Sequence, residues 1–188
     1  GEGRRVYATT KFVLYTLAGS LLMLLGIIWL SFIHFEATHE FTFDIQTLVH
    51  MKIDPSTQIW LFLFFFIAFA IKVPIFPLHS WLPHAYISSP IPVLLILTGA
   101  MSKAGAYGII RFCLPLFPEA VDYFGQFIAF CAAAGIVYGA WIAIGQRDLK
   151  ALVAYSSISH LGFVALGIFA LNSEGIEGSV LQMVNHGI

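Results

Sequence analysis

Two lysines and two histidines stand inside stretches of sequence that are otherwise apolar enough to cross a lipid bilayer: Lys72, Lys103, His160 and His186. A charged lysine at the centre of a bilayer costs about 2.5–3.5 kcal/mol on the insertion scale, so such a residue indicates a function inside a helical bundle. Burial disfavours the charged form of lysine, and histidine titrates near neutral pH, so both can exchange protons there. Four such groups at a similar depth predict a lateral path for protons.

The sequence lacks the companion residues that other kinds of chemistry need. It contains no paired nucleophile and base, no glycine-rich phosphate loop and no cofactor motif. The histidines and carboxylates of the polar stretch 34–58 match no metal-ligand spacing, which favours a solvated loop over a metal site. The net charge of −1 gives no indication of nucleic acid binding. We therefore expect no cofactor, no metal and no nucleic acid partner for this chain.

The composition shows where the titratable residues must lie. Of the 188 residues, 59% are hydrophobic and only 10% are charged, and the mean hydropathy is +0.88. A single soluble core cannot bury that much apolar surface. The sequence predicts an all-α, polytopic membrane protein with six transmembrane segments, at about 12–33, 59–79, 91–114, 121–145, 149–171 and 176–188. The last segment looks truncated, so we interpret residues 1–188 as a fragment of a single proton-conducting transmembrane domain.

The second apolar segment carries its own interruption. A phenylalanine-rich run ends in Lys72 and is followed by Pro74, Pro77 and Pro83. Proline removes a backbone donor and clashes with the preceding turn, so the helix is predicted to break just after Lys72. Carbonyls freed at membrane depth persist only where protein or water satisfies them, which favours a hydrated interior site beside Lys72. The alternative is that the Lys72 side chain extends to the membrane interface.

Two further patterns concern helix packing and the first histidine. Small residues surround Lys103 in LTGAMSKAGAYGIIRF, and Gly135 and Gly139 frame GIVYG, patterns that are typical of closely packed membrane helices.

On the fifth segment, Ser156 and His160 are four residues apart and therefore share a helix face. A titratable ring beside hydroxyl groups at this depth favours a proton path over an inert core histidine.

The basic residues outside the apolar segments predict the orientation of the chain. They collect at the N-terminus and in the turn at 146–150, which share one end of the bundle with the turn at 80–90: Arg4, Arg5, Lys11, Arg147 and Lys150. The positive-inside rule makes this end cytoplasmic.

Four stretches, taken together, resemble a known family. They are AIKVPIFPLHSWLPHAY, SKAGAYGIIRF, QRDLKALVAYSSISHLGFVALGIFALN and GIEGSVLQMVNHGI. Through them the chain resembles, over essentially its whole length, the antiporter-like M subunits of bacterial respiratory complex I (NADH:quinone oxidoreductase), called subunit 4 in mitochondria. The chain departs from the family at WLPHAY, where the family usually reads WLPDAH, so His84 replaces an aspartate and Tyr86 a histidine. The following turn, ISSPIPVLLILTGAMSK, also differs from the common one.

The resemblance implies a subunit of about fourteen helices with two inverted repeats, of which this chain looks like the sixth to the start of the eleventh. Lys72, Lys103, His160 and His186 match the family's proton-transferring residues, and His79 matches a histidine just past the break. From their own positions, Pro74 and Ser156 are expected to support them. A partner glutamate is expected before Gly1, and a terminal charged residue after Ile188.

The resemblance also implies an activity and a setting. Quinone reduction elsewhere in an enzyme complex drives protons through this subunit, which itself holds no flavin, iron–sulfur cluster or quinone. Its partners are the other membrane subunits, the lipid bilayer and, indirectly, the redox arm, in the inner (plasma) membrane of a bacterium or archaeon, with an organellar inner membrane as second choice. The alternatives are a related membrane-bound hydrogenase subunit, a subunit of a multisubunit Na⁺/H⁺ antiporter, and a helical anchor without transport.

Overall fold

The computed structural model describes residues 2–187 as helices joined by turns and short loops. The helices are α1 Glu2–Thr38, α2 Ile45–Val49, α3 Pro55–Lys72, α4 Leu82–Ser88, α5 Ile91–Leu116, α6 Pro118–Ile144, α7 Leu149–Ile168 and α8 Ser173–Gly187. The predicted all-α class is confirmed. Five of these helices are long and apolar enough to cross a membrane: α1, α3, α5, α6 and α7. The last predicted segment, 176–188, lies largely in the shorter α8, and Ile188 lies outside the described residues.

The prediction of one solvated loop over 34–58 is wrong, because helices enter this stretch from both sides. The last turn of α1 reaches Thr38, and Nδ1 of the nearly buried His34 lies 2.8 Å from the carbonyl oxygen of Glu40. Asp44 and Asp54 cap the N-termini of α2 and α3, a role that outweighs the polar composition. Hydrogen bonds from Thr47 and Ser56, respectively, hold the pKa of the two exposed carboxyl groups below the usual value.

The predicted break after Lys72 is confirmed, and protein groups satisfy backbone carbonyls around it. α3 ends at Lys72, and the chain turns before α4 begins. The N–H of Ile75 donates to the carbonyl of Ala70 over 2.9 Å. The indole Nε1 of Trp81 donates to the carbonyl of Ile71, also over 2.9 Å. The Trp81 side chain therefore satisfies one of the carbonyls for which the sequence indicated water.

Replacing Trp81 with phenylalanine is expected to destabilise the broken segment. The indole is 1% exposed, so the change leaves the carbonyl of Ile71 buried without its donor, at a cost of about 1–3 kcal/mol. Thermal unfolding of the detergent-solubilised protein measures the effect. Trp141→Phe, at an indole that is 77% exposed, is the matched control and should unfold like the wild type. Equal unfolding temperatures for the two variants would show that the Trp81 bond contributes nothing.

α6 and α7 pack with their backbones in contact, as the small residues predict. A Cβ atom on Gly139 would lie 2.8 Å from the backbone nitrogen of Ser159 and 2.9 Å from the carbonyl oxygen of Tyr155. Only glycine permits this approach. Gly135 instead faces the break, where its nearest neighbour is Cβ of Phe76 at 3.3 Å. The GIVYG pattern thus holds α6 against both α7 and the broken segment.

The N-terminus, the stretch 80–90 and the turn at 146–150 meet at one end of the bundle, as predicted, but the stretch 80–90 contains α4 instead of a turn. Nζ of Lys150 donates to the carbonyl of Ser89 over 2.8 Å. A cavity of about 860 Å³ beside this bond is also lined by Arg4 and Arg5. At the opposite end, the amide oxygen of Gln58 on α3 accepts from the backbone N–H at the start of α6, over 3.3 Å.

Candidate functional site

Two π-helical turns interrupt α5 on either side of Lys103. The first covers Leu97–Met101 and the second Ile109–Cys113. Such turns are rare in proteins overall, but many of those that occur lie at functional sites. They shift the helix register and change the carbonyls that side chains can reach. Nζ of Lys103 donates to the carbonyl of Thr98, within the first turn. The widened turn therefore gives the lysine a backbone acceptor in its own helix.

Lys103 also bonds to a histidine from the far end of the chain. Its Nζ lies 2.6 Å from Nδ1 of His186 on α8. An ammonium group only donates, so Nδ1 accepts and the neutral ring carries its proton on Nε2. The α8 backbone stays close as well, since a Cβ atom on Gly187 would lie 3.6 Å from Cε of Lys103. The pair forms a direct hydrogen bond between two titratable side chains, one on α5 and one on α8.

His160 of α7 extends the contact beyond His186. The two ring centroids lie 6.0 Å apart, and the ring planes are inclined by 60°. His160 is exposed in the part of the chain that the structure describes. Lys103, His186 and His160 thus follow one another in space, from α5 through α8 to α7. We call these three residues the proton line, after the role that the sequence predicts for them.

Lys72 lies near the proton line through the packing of α3 against α5. It is half-buried at the last residue of α3, and its Cβ would lie 2.9 Å from a Cβ placed on Gly105 of α5. Gly105 follows Lys103 by two positions. The segments that carry the two lysines therefore touch where only a glycine fits. Among the described hydrogen bonds, none connects the Lys72 amine to the line, so its role stays a prediction.

The structure places His79 and Pro74 in the break, away from the hydrogen bonds of the proton line. Pro74 is buried there. The His79 ring is 7% exposed and packs against the rings of Phe76 and Tyr138, with centroid distances of 5.3 and 4.9 Å. Its Nδ1 is buried and has no hydrogen-bond partner within residues 2–187. His79 thus faces α6. No described contact connects it to Lys103, so its supporting role stays a prediction.

Ser156 shares the α7 face with His160, but the hydrogen bond to the histidine comes from another helix. Nε2 of Gln182 on α8 lies 3.1 Å from Nδ1 of His160. Ser156 is half-buried one turn earlier. The sequence reasoning missed Gln182, although a usable signal was present. Gln182 precedes His186 by four residues, so a helical reading of QMVNHG places both on one face.

The two residues that depart from the family pattern both lie on α4. The His84 side chain is exposed and contacts Tyr7 edge to face, with ring centroids 5.3 Å apart. Tyr86 is completely buried between α4 and its neighbours. Among the described hydrogen bonds, none connects His84 or Tyr86 to Lys103 or His186.

Metal binding finds no support in the part of the chain that the structure describes. There, no three histidine, cysteine, aspartate or glutamate side chains come close enough to hold a metal ion. Cys113 and Cys131 are free thiols.

Comparison with known proteins gives consistent matches over the whole chain. The family described as "NADH:quinone oxidoreductase/Mrp antiporter, TM" matches residues 1–188. NADH-quinone oxidoreductase subunit M of Pseudomonas aeruginosa is 45% identical over 188 residues, which are 100% of this chain and 37% of the relative. The chain therefore spans little more than a third of the length of that relative.

Solved structures show the same arrangement of helices. Respiratory complex I from Thermus thermophilus with bound NADH matches 97% of this chain and 38% of its own, with a TM-score of 0.88 and 35% identity. The Mrp complex from Dietzia sp. matches 96% of this chain and 19% of its own, with a TM-score of 0.79 and 26% identity. Because the family match covers every residue and the relatives are this similar, the chain belongs to the NADH:quinone oxidoreductase/Mrp antiporter transmembrane family.

Proposed function

We propose that this chain is part of the proton-translocating membrane subunit of an NADH:quinone oxidoreductase, and that it passes protons while quinone is reduced elsewhere in the complex. The residues that carry the protons are Lys72, Lys103, His160 and His186. The observation on which the proposal rests is the 2.6 Å contact between Nζ of Lys103 and Nδ1 of His186, two groups that can exchange a proton directly. The 45% identity to a subunit M supports the choice of complex.

The geometry supports a simple order of proton transfers. The Lys103 ammonium gives a proton to Nδ1 of His186, which leaves a neutral amine and an imidazolium. The imidazolium releases its Nε2 proton toward His160, across a ring separation of 6.0 Å that a water molecule can bridge. The neutral Lys103 then takes a proton from the Lys72 ammonium through bridging water, which gives up one proton for each that it receives. Each transfer therefore breaks one N–H bond and forms another.

The family also supports a setting for the whole protein. We propose a subunit of about fourteen helices with inverted repeats, in which α8 begins a sixth crossing of this chain. The basic end, with Arg4, Arg5 and Lys150, faces the cytoplasm by the positive-inside rule. The subunit contacts other membrane subunits and depends on the redox arm indirectly, in the inner (plasma) membrane of a bacterium or archaeon. It holds no redox group of its own.

A cation/proton antiporter module is the second candidate. The likeness to the Mrp complex, with a TM-score of 0.79 and 26% identity, supports this alternative. The same proton line would then exchange protons for sodium without NADH. A subunit of a membrane-bound hydrogenase belongs to the same alternative class.

Replacing His186 with alanine tests the proposal, because it removes the acceptor of Lys103. We expect proton pumping driven by NADH to fall by about 100-fold or more, the contribution of a positioned proton-transfer group. Proton uptake into membrane vesicles that contain the assembled complex measures it, with and without sodium. Pumping that needs sodium and persists without NADH would favour the antiporter.

His50→Ala is the matched control, since His50 is an exposed histidine that follows α2. This variant should pump like the wild type. Normal pumping by an assembled His186→Ala complex would overturn the proposal.

A further inference from the structure

Gln182 is the one hydrogen-bond partner that the described structure gives to the His160 side chain. It lies on α8, one helical turn before His186, and its Nε2 is 3.1 Å from Nδ1 of His160. Both α8 side chains therefore point toward the same part of the bundle. The position of Gln182 is unusual for a surface amide, because it contacts a titratable ring at the end of the proton line.

The two helices that hold this contact are fixed against each other nearby. Oγ of Ser179 on α8 lies 2.9 Å from the carbonyl oxygen of Val164 on α7. A Cβ atom on Gly167 would lie 2.6 Å from the carbonyl oxygen of Gly175, so the backbones touch there as well. The separation between Gln182 and His160 is thus set by backbone packing rather than by the two side chains alone.

A carboxamide suits a ring that gains and loses a proton. Its NH₂ group donates to the lone pair of an unprotonated Nδ1, and its oxygen accepts from a protonated one. A half-turn of the amide exchanges the two, so the contact survives both states of the ring. A hydroxyl can do the same, but an apolar group can do neither, and a carboxylate can only accept.

We propose that Gln182 is a positioning residue for His160: its amide holds the neutral ring by donating to Nδ1, and turns to accept from Nδ1–H when the ring is protonated. The proposal rests on the proposed function and deepens it. In the observed state the amide N–H occupies the Nδ1 lone pair, so neutral His160 carries its proton on Nε2.

The transfer step follows from this arrangement. An incoming proton displaces the amide N–H and forms the Nδ1–H bond, and the amide oxygen then accepts that hydrogen. Release of the Nε2 proton to water then leaves a neutral ring with its proton on Nδ1, which the amide oxygen continues to accept. Gln182 itself neither gains nor loses a proton, so charge and atoms balance at every stage.

The titratable group that faces His160 comes from α8, one of the helices packed against α7. α8 contributes the His186 ring, whose centroid is 6.0 Å away, and behind it stands Lys103 of α5. α6 and α4 bring tyrosines to other parts of α7, where Tyr138 lies near Tyr155 and Tyr86 lies near Ser157. These groups are the same in each variant of Gln182, so a difference in pumping between those variants is the effect of the amide.

Two substitutions of Gln182 separate its proposed role from simple packing. Gln182→Glu supplies only acceptors, so it favours protonated His160 and should move the pH profile of NADH-driven pumping upward by about one pH unit. Gln182→Leu supplies neither group and should lower turnover about threefold to tenfold. Both are measured in membranes, on complexes whose assembly is checked by native gel electrophoresis. If Gln182→Leu fails to assemble, Gln182→Met, which is close in shape to glutamine, replaces it. Gln182→Asn, which keeps the amide on a shorter side chain, tests partial recovery of the wild-type profile.

The controls distinguish this inference from the proposed function. Asn185→Leu removes an exposed amide from the same helix and should leave the profile unchanged. In the His160→Ala background, Gln182→Leu should have no further effect, because Gln182 acts through His160. If His160→Ala abolishes pumping while Gln182→Glu leaves the pH profile in place, the inference is overturned and the proposed function stands. If His160→Ala pumps normally, His160 does not carry protons. The proposed role of His160 and the inference about Gln182 are then both overturned.

Discussion

Replacing Lys103 with alanine is expected to reduce quinone-linked proton pumping by about 100-fold or more, the size of a positioned proton-transfer group. The physical reason is its place at the start of the proton line. Its Nζ bonds both to the carbonyl of Thr98 in the π-helical turn and to Nδ1 of His186. Without the amine, His186 has no donor on the α5 side. Proton uptake during NADH:quinone turnover in membrane vesicles measures the loss.

Lys103→Arg separates proton transfer from charge. Arginine keeps a positive charge but is not deprotonated in proteins, so it cannot hand a proton to His186. We expect this variant to pump as poorly as Lys103→Ala. A role in ion pairing alone predicts that arginine restores activity.

Arg111→Ala is the matched control for both changes, since Arg111 is an exposed cation on the same helix. It should retain normal pumping. If assembled Lys103→Ala complexes pump normally as well, the chain is only a helical anchor.

Replacing Gly105 with alanine is expected to separate the two segments that carry the lysines. A Cβ there would lie 2.9 Å from Cβ of Lys72 and from Cγ2 of Val73, and 3.1 Å from the carbonyl oxygen of Phe69. These atoms belong to or adjoin the backbone, so the clash cannot be relieved by rotating a distant group. Overpacking of this kind costs about 1–3 kcal/mol. We expect lower thermal stability and, because Lys72 moves away from α5, reduced pumping.

Gly99→Ala provides the comparison, because a Cβ at Gly99 meets no atom within 4 Å. Both glycines lie on α5, so the variants lose the same backbone freedom and differ only in contacts. Equal stability of the two variants would show that α3 and α5 are not held by the Gly105 contact.

Local patterns identified most of the helices and the break. Pro74 and its neighbours end α3 after Lys72, because the loss of a backbone donor acts within a few residues whatever the tertiary contacts. The apolar runs predict the long helices, because hydrophobicity and length are also properties of the local sequence. The error at 34–58 has a local cause too. Polar residues there suggested solvent, whereas Asp44 and Asp54 are helix caps, and α1 continues to Thr38.

The contacts within the site depend on distances between helices, which the order of residues does not contain. Lys103 and His186 are 83 positions apart and meet only because α8 packs beside the π-helical turn of α5. The position of α8 also brings Gln182, rather than Ser156, into hydrogen-bond contact with His160. Those pairings require both backbones to be placed first.

The sequence by itself determined that this is a helical membrane chain with titratable residues at depth and a helix broken after Lys72. These properties follow from side-chain hydrophobicity and from the covalent chemistry of proline, both of which act locally. Only the tertiary structure decided that Lys103, His186 and His160 form a line, with Lys72 against Gly105 and Gln182 at the far end. Proton transfer needs contacts of hydrogen-bond length, and those lengths are set by how distant helices pack.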